Sequence, residues 1–330
     1  MTPKTISRRR LLLEAGAAAT TLSHGSLLEA GSLADIFDFA KVRRGKPAAA
    51  AGTVSIGDLT VNRMGFGAMR ITGEPGFWGE PDDLRQARTL LHRVIKLGVN
   101  FIDTADAYGP GVSERLLYET LHPYSKDLVI ATKGGFVRPS RERFEKDGSP
   151  QHLREACEAS LKRLHLERID LYQLHVIDPK VPVEESLGEL ARLQQEGKIR
   201  HVGVSNFELA DLQKARPIVN VVSVQNNYNV RDRGSEAVLN YCTANGIAFL
   251  PWAPLAREDQ GRTEPSPPVQ ALQTIADTRH ISTAQAALAW LLARSPMILP
   301  IPGTSSVEHL EENIAAASIQ LTPEELTQLG

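Results

Sequence analysis

The chain has 330 residues, 42% of them hydrophobic, and 37 basic against 39 acidic side chains leave a net charge of -2. That much apolar residue can bury one large core or two smaller ones, and the charge balance excludes the basic footprint of a nucleic-acid binder. Only two cysteines, no Cys/His set at zinc spacing and no apolar run of about 18–20 residues exclude a disulfide scaffold, a zinc module and a membrane-spanning helix.

In chain order, Ser7-Arg8-Arg9-Arg10-Leu11-Leu12-Leu13 leads into a short apolar stretch that runs to Leu22 and is interrupted by Glu14. A basic segment followed by a brief apolar one resembles a twin-arginine export signal, a route for proteins already folded around a cofactor. It predicts contact with that export machinery and a periplasmic destination. A basic tail with a short amphipathic helix, in a cytoplasmic protein, is the alternative. Residues 24–52, ending in Lys46-Pro47-Ala48-Ala49-Ala50-Ala51-Gly52, read as a linker. A disordered or cleaved segment 1–52 is therefore expected before a folded domain 53–330.

Val54-Ser55-Ile56 and Leu59-Thr60-Val61 flank Gly57-Asp58 and predict a β-hairpin. The glycine-rich run Met64-Gly65-Phe66-Gly67-Ala68 is the first of eight expected strands, followed by strands near 99–103, 128–132, 169–174, 200–204, 221–225, 247–251 and 297–301. Helices are expected over 83–97, 113–122, 150–164, 184–196, 208–215, 235–245, 284–294 and 306–316. Gly98, Gly197 and Gly246 fall just past helix ends, where a left-handed cap favours glycine. Cys157 and Cys242 lie on expected helices and read as small buried apolar residues. Strands such as Val221-Val222-Ser223-Val224 and Ala248-Phe249-Leu250 are apolar on both faces, as a parallel sheet covered by helices requires. Eight such units predict an α/β (β/α)₈ TIM barrel. The alternative is an open doubly wound sheet, for which Gly65-Phe66-Gly67-Ala68-Met69-Arg70 lacks the third glycine of the phosphate-binding turn.

Three consecutive buried runs end in a charged or titratable residue: Asp103, Lys133 and His175. In a barrel the strand C-termini and the loops after them form one active face, and Tyr108 lies in the loop after Asp103. A phenol titrates near 10 and is a weak acid at neutral pH. A neighbouring ammonium favours the phenolate and lowers that value, a carboxylate holds the ammonium, and a histidine orients a carbonyl or relays a proton. Together they could protonate an oxygen that gains negative charge. Taken singly, each has a plainer role: Asp103 a loop anchor, Tyr108 a packing residue, Lys133 a solvated loop side chain and His175 a structural one.

The stretches Phe101-Ile102-Asp103-Thr104-Ala105-Asp106-Ala107-Tyr108-Gly109, Ile130-Ala131-Thr132-Lys133, Asp170-Leu171-Tyr172-Gln173-Leu174-His175, Val202-Gly203-Val204-Ser205-Asn206-Phe207 and Ile301-Pro302-Gly303-Thr304-Ser305-Ser306 resemble the aldo-keto reductases, from about residue 53 to 329. The resemblance implies a barrel closed at its base by the amino-terminal hairpin and a nicotinamide cofactor held without a Rossmann fold. It implies Tyr108 as proton donor, Lys133 as its pKa-lowering partner, Asp103 paired with Lys133, and His175 orienting the carbonyl. Ser205, Asn206 and Gln225 would bond the nicotinamide carboxamide, and Trp252 would stack on its ring. The segment Ala253, Leu255 and Arg257 would touch the pyrophosphate. Gly303, Thr304, Ser305 and Ser306 would hold the adenosine phosphate at a helix N-terminus, with Glu312 and Asn313 on the adenine.

The pattern departs from the family where many members place a lysine and an arginine around the 2′-phosphate; here Gly303 and His309 stand there. NADP(H) is the expected cofactor and NAD(H) is possible. Gly65-Phe66-Gly67-Ala68-Met69, Ser223-Val224-Gln225-Asn226-Asn227-Tyr228-Asn229 and Ala287-Leu288-Ala289-Trp290 are similar to a bacterial group that includes pyridoxal reductases. An aromatic aldehyde is thus a candidate substrate, with Trp78 and Phe136 as an aromatic wall. The expected activity is NAD(P)H-dependent, reversible reduction of a small-molecule aldehyde or ketone by a monomer or weak oligomer. The rivals are a nicotinamide-binding sensor or accessory subunit with little turnover, and an exported solute-binding protein.

Overall fold

The computed structural model describes residues 46–255 and 266–330. The twin-arginine segment, with Arg8 and Arg9, and the cofactor candidate Arg257 lie outside the described residues. Strand β1 (Thr53–Ile56) pairs antiparallel with β2 (Leu59–Asn62) in the expected hairpin, Thr53 opposite Asn62 and Ile56 opposite Leu59. Beyond it come β3 (Phe66–Gly67), β4 (Phe101–Asp103), β5 (Val129–Gly134), a small hairpin of β6 (Phe136–Val137) and β7 (Glu145–Lys146), then β8 (Ile169–Leu174), β9 (Ile199–Ser205), β10 (Val221–Asn227) and β11 (Ala248–Trp252). Seven of these form one parallel sheet in the order β3, β4, β5, β8, β9, β10, β11.

The eighth expected strand closes the ring without being regular. Phe249 donates its N–H to Met297 O and accepts from Leu299 N, each at 2.9 Å, while Gly65 N donates to Pro300 O at 2.9 Å and Gly67 N to Pro302 O at 3.4 Å. Residues 297–302 thus bridge β11 and β3. Pro300 and Pro302 have no N–H to give, which is why the ladder there is incomplete. The architecture is the (β/α)₈ barrel that the sequence predicts.

Alternation along the strands divides the apolar residues into two sets. Phe101, Val129, Ala131, Leu171, Val222, Ala248, Leu250, Leu299 and Ile301 form an inner cluster with Val54, Ile56 and Val61 of the hairpin. The hairpin therefore plugs the barrel base. Ile102, Ile130, Tyr172, Val202, Val204, Val224 and Phe249 belong to the larger outer cluster, shared with the helices. Each fully buried Leu, Val or Phe contributes on the order of 1.5–3 kcal/mol.

The eight expected helices stand at Leu84–Lys96, Val112–Leu121, Pro150–Leu164, Val183–Gln195, Leu209–Ala215, Glu236–Asn245, Thr283–Arg294 and Val307–Ala315. Asp83, Ser149, Ser282 and Ser306 cap four of them, each side chain accepting a backbone N–H. Gly98, Gly197 and Gly246 have φ of 83°, 77° and 66°, as left-handed caps. Helices Pro267–Arg279 and Pro323–Leu329 are additional. Part of the stretch expected as linker packs on the barrel: Pro47–Ala51 forms a 3₁₀ turn, Ala48 is fully buried, and its N–H donates to Leu97 O at 3.0 Å. Both cysteines are buried and unbridged. Among the described residues no helix is long and apolar enough to cross a membrane.

Candidate active site

Asp103, Lys133 and His175 lie on the inward parity of their strands, above the inner apolar layer of Phe101, Ala131 and Leu171. Lys133 is fully buried. Its Nζ donates to Asp103 Oδ2 at 2.7 Å, to Thr104 O at 2.8 Å and to Tyr108 Oη at 3.5 Å. Asp103 Oδ1 accepts from Gln173 Nε2 at 3.1 Å and from Gln225 Nε2 at 2.8 Å. The buried ion pair is thereby hydrogen-bonded on both sides, which is the condition under which such a pair is tolerated. Tyr108 reaches this group because Gly111 N donates to Asp106 O at 2.7 Å and Tyr108 N to Ala105 O at 3.2 Å, folding the loop back over β4.

Burial alone would lower the pKa of Lys133, but Asp103 and then Tyr108 outweigh it and the net shift is upward, so the ammonium is kept. Burial raises the pKa of Tyr108, and Lys133 pulls it down. The lysine acts in the expected direction, yet burial prevails and the phenol stays above its ordinary value. That corrects the expectation of a net lowering. His175 is pushed well below 6.5 by burial and by Lys133, and is neutral at pH 7. Its ring stands edge-on to Tyr108, with centroids 6.0 Å apart, and to Phe136 at 4.7 Å.

A cavity of about 440 Å³ opens over these groups, lined by Asp103, Tyr108 and His175 at its floor and by Ser205, Asn206, Gln225 and Trp252 on one flank. Ser205 Oγ donates to Gln225 O at 2.8 Å, and Asn206 Nδ2 donates to His175 O and Ser205 Oγ, each at 3.1 Å. Gln225 thus ties this amide flank to Asp103. Trp252, 36% exposed, is one of few large apolar side chains reaching solvent among the described residues, and its Nε1 donates to Asn206 Oδ1 at 3.0 Å. Asn206 and Ala253 hold φ of 60° and 50°, a strained conformation for residues with a Cβ that concentrates at functional sites. Two amides, a hydroxyl and an open indole face form a donor set that fits a carboxamide on an aromatic ring.

Ala253, Leu255 and Gly303 also line the cavity. Gly303 sits against the backbone of β3: a Cβ there would come within 2.7 Å of Gly67 O. A side chain at this position would require the backbone of β3 to shift. Thr304 Oγ1 accepts from Ser306 N at 3.0 Å, and Ser306 caps the helix Val307–Ala315 by accepting from His309 N at 3.3 Å. Thr304, Ser305, Ser306, His309, Glu312 and Asn313 continue from Gly303 into that helix and are not part of the cavity wall. Neither are Trp78 and Phe136. Trp78 makes a backbone bridge to Gly109, and Phe136 backs His175.

Sequence reasoning missed Gln173, which is buried and bonds Asp103. It stands two residues before His175 on the same inward parity, and that was the available signal. Gly67, Met69 and Arg70 of the first loop also line the cavity. Among the described residues no group of His, Cys, Asp and Glu is placed to hold a metal.

Residues 63–330 match the family described as the Aldo/keto reductase family. The chain is 50% identical over 282 residues to an uncharacterized oxidoreductase of Schizosaccharomyces pombe, covering 86% of this chain and 90% of the other. It is 41% identical over 287 residues to pyridoxine 4-dehydrogenase of Escherichia coli, covering 84% and 97%. A crystal structure of an aldo-keto reductase from Klebsiella pneumoniae in complex with NADPH superposes with a TM-score of 0.70 at 30% identity, covering 84% and 93%.

Proposed function

The chain belongs to the aldo/keto reductase family, and on that premise we propose that it reduces an aromatic aldehyde to the alcohol, with NADPH as the preferred donor and Tyr108 as the proton source. The observation that carries the proposal is the contact of Lys133 Nζ with both Asp103 and Tyr108 at the floor of the cavity. What a bound reduced nicotinamide supplies is the hydride. As the carbonyl oxygen gains charge, Tyr108 gives it a proton, and the fixed Lys133 ammonium stabilises the phenolate left behind. Asp103 holds the ammonium in place. His175, neutral because burial disfavours its charged form, donates a hydrogen bond to the carbonyl rather than a proton. Ser205, Asn206 and Gln225 hold the carboxamide, and Trp252 backs the ring.

The preference for the 2′-phosphate is assigned to Ser305, Ser306, the first N–H groups of the helix Val307–Ala315 and His309, since Gly303 brings no cationic side chain. The aromatic substrate is supported by Phe136 against His175 and by the name of the Escherichia coli relative; pyridoxal is the first compound to assay. The amino-terminal segment is assigned to twin-arginine export. In cell fractionation, replacing Arg8 and Arg9 by lysine should retain the protein inside, and unchanged fractionation would reject that assignment.

The test is NADPH oxidation with pyridoxal and other aldehydes by wild type and Tyr108→Phe. The variant should lose about 10²-fold or more in kcat while still binding NADPH. Activity within a few-fold of wild type would overturn the assignment of the proton donor.

A further inference from the structure

One guanidinium reaches three loops of the active face. Arg138 directly follows β6 and is 8% exposed. Its Nη2 donates to Gly76 O at 3.0 Å and to Arg141 O at 2.7 Å, and its Nη1 donates to Ala107 O at 3.3 Å. Gly76 belongs to the loop after β3, Ala107 immediately precedes Tyr108, and Arg141 lies in the hairpin loop between β6 and β7. The guanidinium carbon is 3.7 Å from the ring centroid of Phe144 and 5.3 Å from that of Trp78. Its Nε is buried with no hydrogen-bond partner, and burial lowers its pKa against the pull of the Glu142 charge.

A buried cation whose acceptors are three carbonyls from three separate loops is an expensive way to fill space. The arrangement around Tyr108 explains its use. Gly79 N donates to Gly109 O and Gly109 N to Phe77 O, both at 3.0 Å, so the loop carrying Trp78 is zipped to the residue after Tyr108. Arg138 holds the residue before it. The same side chain stacks on Phe144, which meets Phe136 edge-on at 5.7 Å, and Phe136 in turn meets His175. An unbroken run of ring contacts therefore leads from the catalytic pair to Phe144, itself 47% exposed.

We propose that Arg138 is a positioning residue: it clasps the three loops around Tyr108 and, through Phe144 and Phe136, fixes the His175 ring that a flat aromatic carbonyl compound meets at the cavity floor. The substrate half rests on the reductase reading above; the clasp does not. Lysine cannot replace it, because one ammonium lacks the planar fork that serves separate carbonyls and stacks on a ring.

The test uses the full chain with Arg138→Met, which keeps the apolar stem, and Arg138→Lys, which keeps the charge. Hydrogen exchange of peptides covering 73–79 and 105–109 should speed up at least about tenfold in both variants. With 4-nitrobenzaldehyde as probe, KM should rise about tenfold or more while NADPH affinity, read by tryptophan quenching, stays within twofold. Unchanged exchange in those peptides overturns the clasp, and faster exchange with unchanged KM overturns the positioning role. A residue with a purely structural role would lower the melting temperature without splitting KM from nucleotide affinity. If the wild type turns over no aldehyde, the reductase reading and the substrate half of the proposal fall together, and the exchange result still decides the clasp.

Discussion

Asp106→Asn tests the electrostatics of the loop that carries Tyr108. Oδ1 of Asp106 is buried with no hydrogen-bond partner. Burial, and then the charge of Glu114, push its carboxyl from 3.8 up to about 8, against the pull of Arg163. Glu114 is itself committed, with Oε2 accepting from Arg163 and Oε1 from Thr132, both at 2.5 Å. Because the folded-state pKa lies above the unfolded one, the folded chain keeps a proton that the unfolded chain releases between pH 4 and 8. Stability therefore falls as pH rises through that window and levels off above it. At about 1.4 kcal/mol per pKa unit, the wild type should lose about 3.5 kcal/mol relative to Asp106→Asn between pH 5 and pH 8. Asparagine has the same shape and cannot ionise, so the variant carries no such penalty. Denaturant unfolding of both proteins at pH 5, 6, 7 and 8 measures the difference directly. Parallel stability profiles would refute the claim that this carboxyl is neutral in the folded protein.

Lys133→Met leaves Asp103 buried without its cation, which should cost about 3–5 kcal/mol of stability, and the alkaline limb of the pH–rate profile for reduction should move to higher pH; an unchanged profile removes the lysine from the proposed acid. Gly303→Ala introduces a Cβ 2.7 Å from Gly67 O, so NADPH affinity and melting temperature should fall together; a change in one alone would separate the nucleotide seat from barrel closure. Trp252→Ala should abolish most of the tryptophan quenching on NADPH addition, and a quench of full size would mean that another indole reports the site.

The proton machinery was legible because strand ends expose it: a charged residue closing an apolar run has few other reasons to be there, and Asp103, Lys133 and His175 each close one. Gln173 was passed over although its parity is that of His175, because an amide inside a strand attracts no attention without knowledge of what it faces. The net direction of the Tyr108 shift could not be read either, since it depends on how much burial opposes Lys133. Helix Pro267–Arg279 escaped prediction because its apolar face is weak, although a proline pair is compatible with a first helical turn. Arg138 looks like a surface cation in sequence. Only the meeting of three loops shows what it serves.

The bond from Trp252 Nε1 to Asn206 Oδ1 has a consequence for how the nicotinamide end is held. An amide oxygen has two lone pairs, so Asn206 Oδ1 can keep the indole N–H and still accept from a carboxamide. The amide and the indole plane are thus fixed to each other before a ligand arrives, and little side-chain freedom remains to be lost when an aromatic carboxamide docks there.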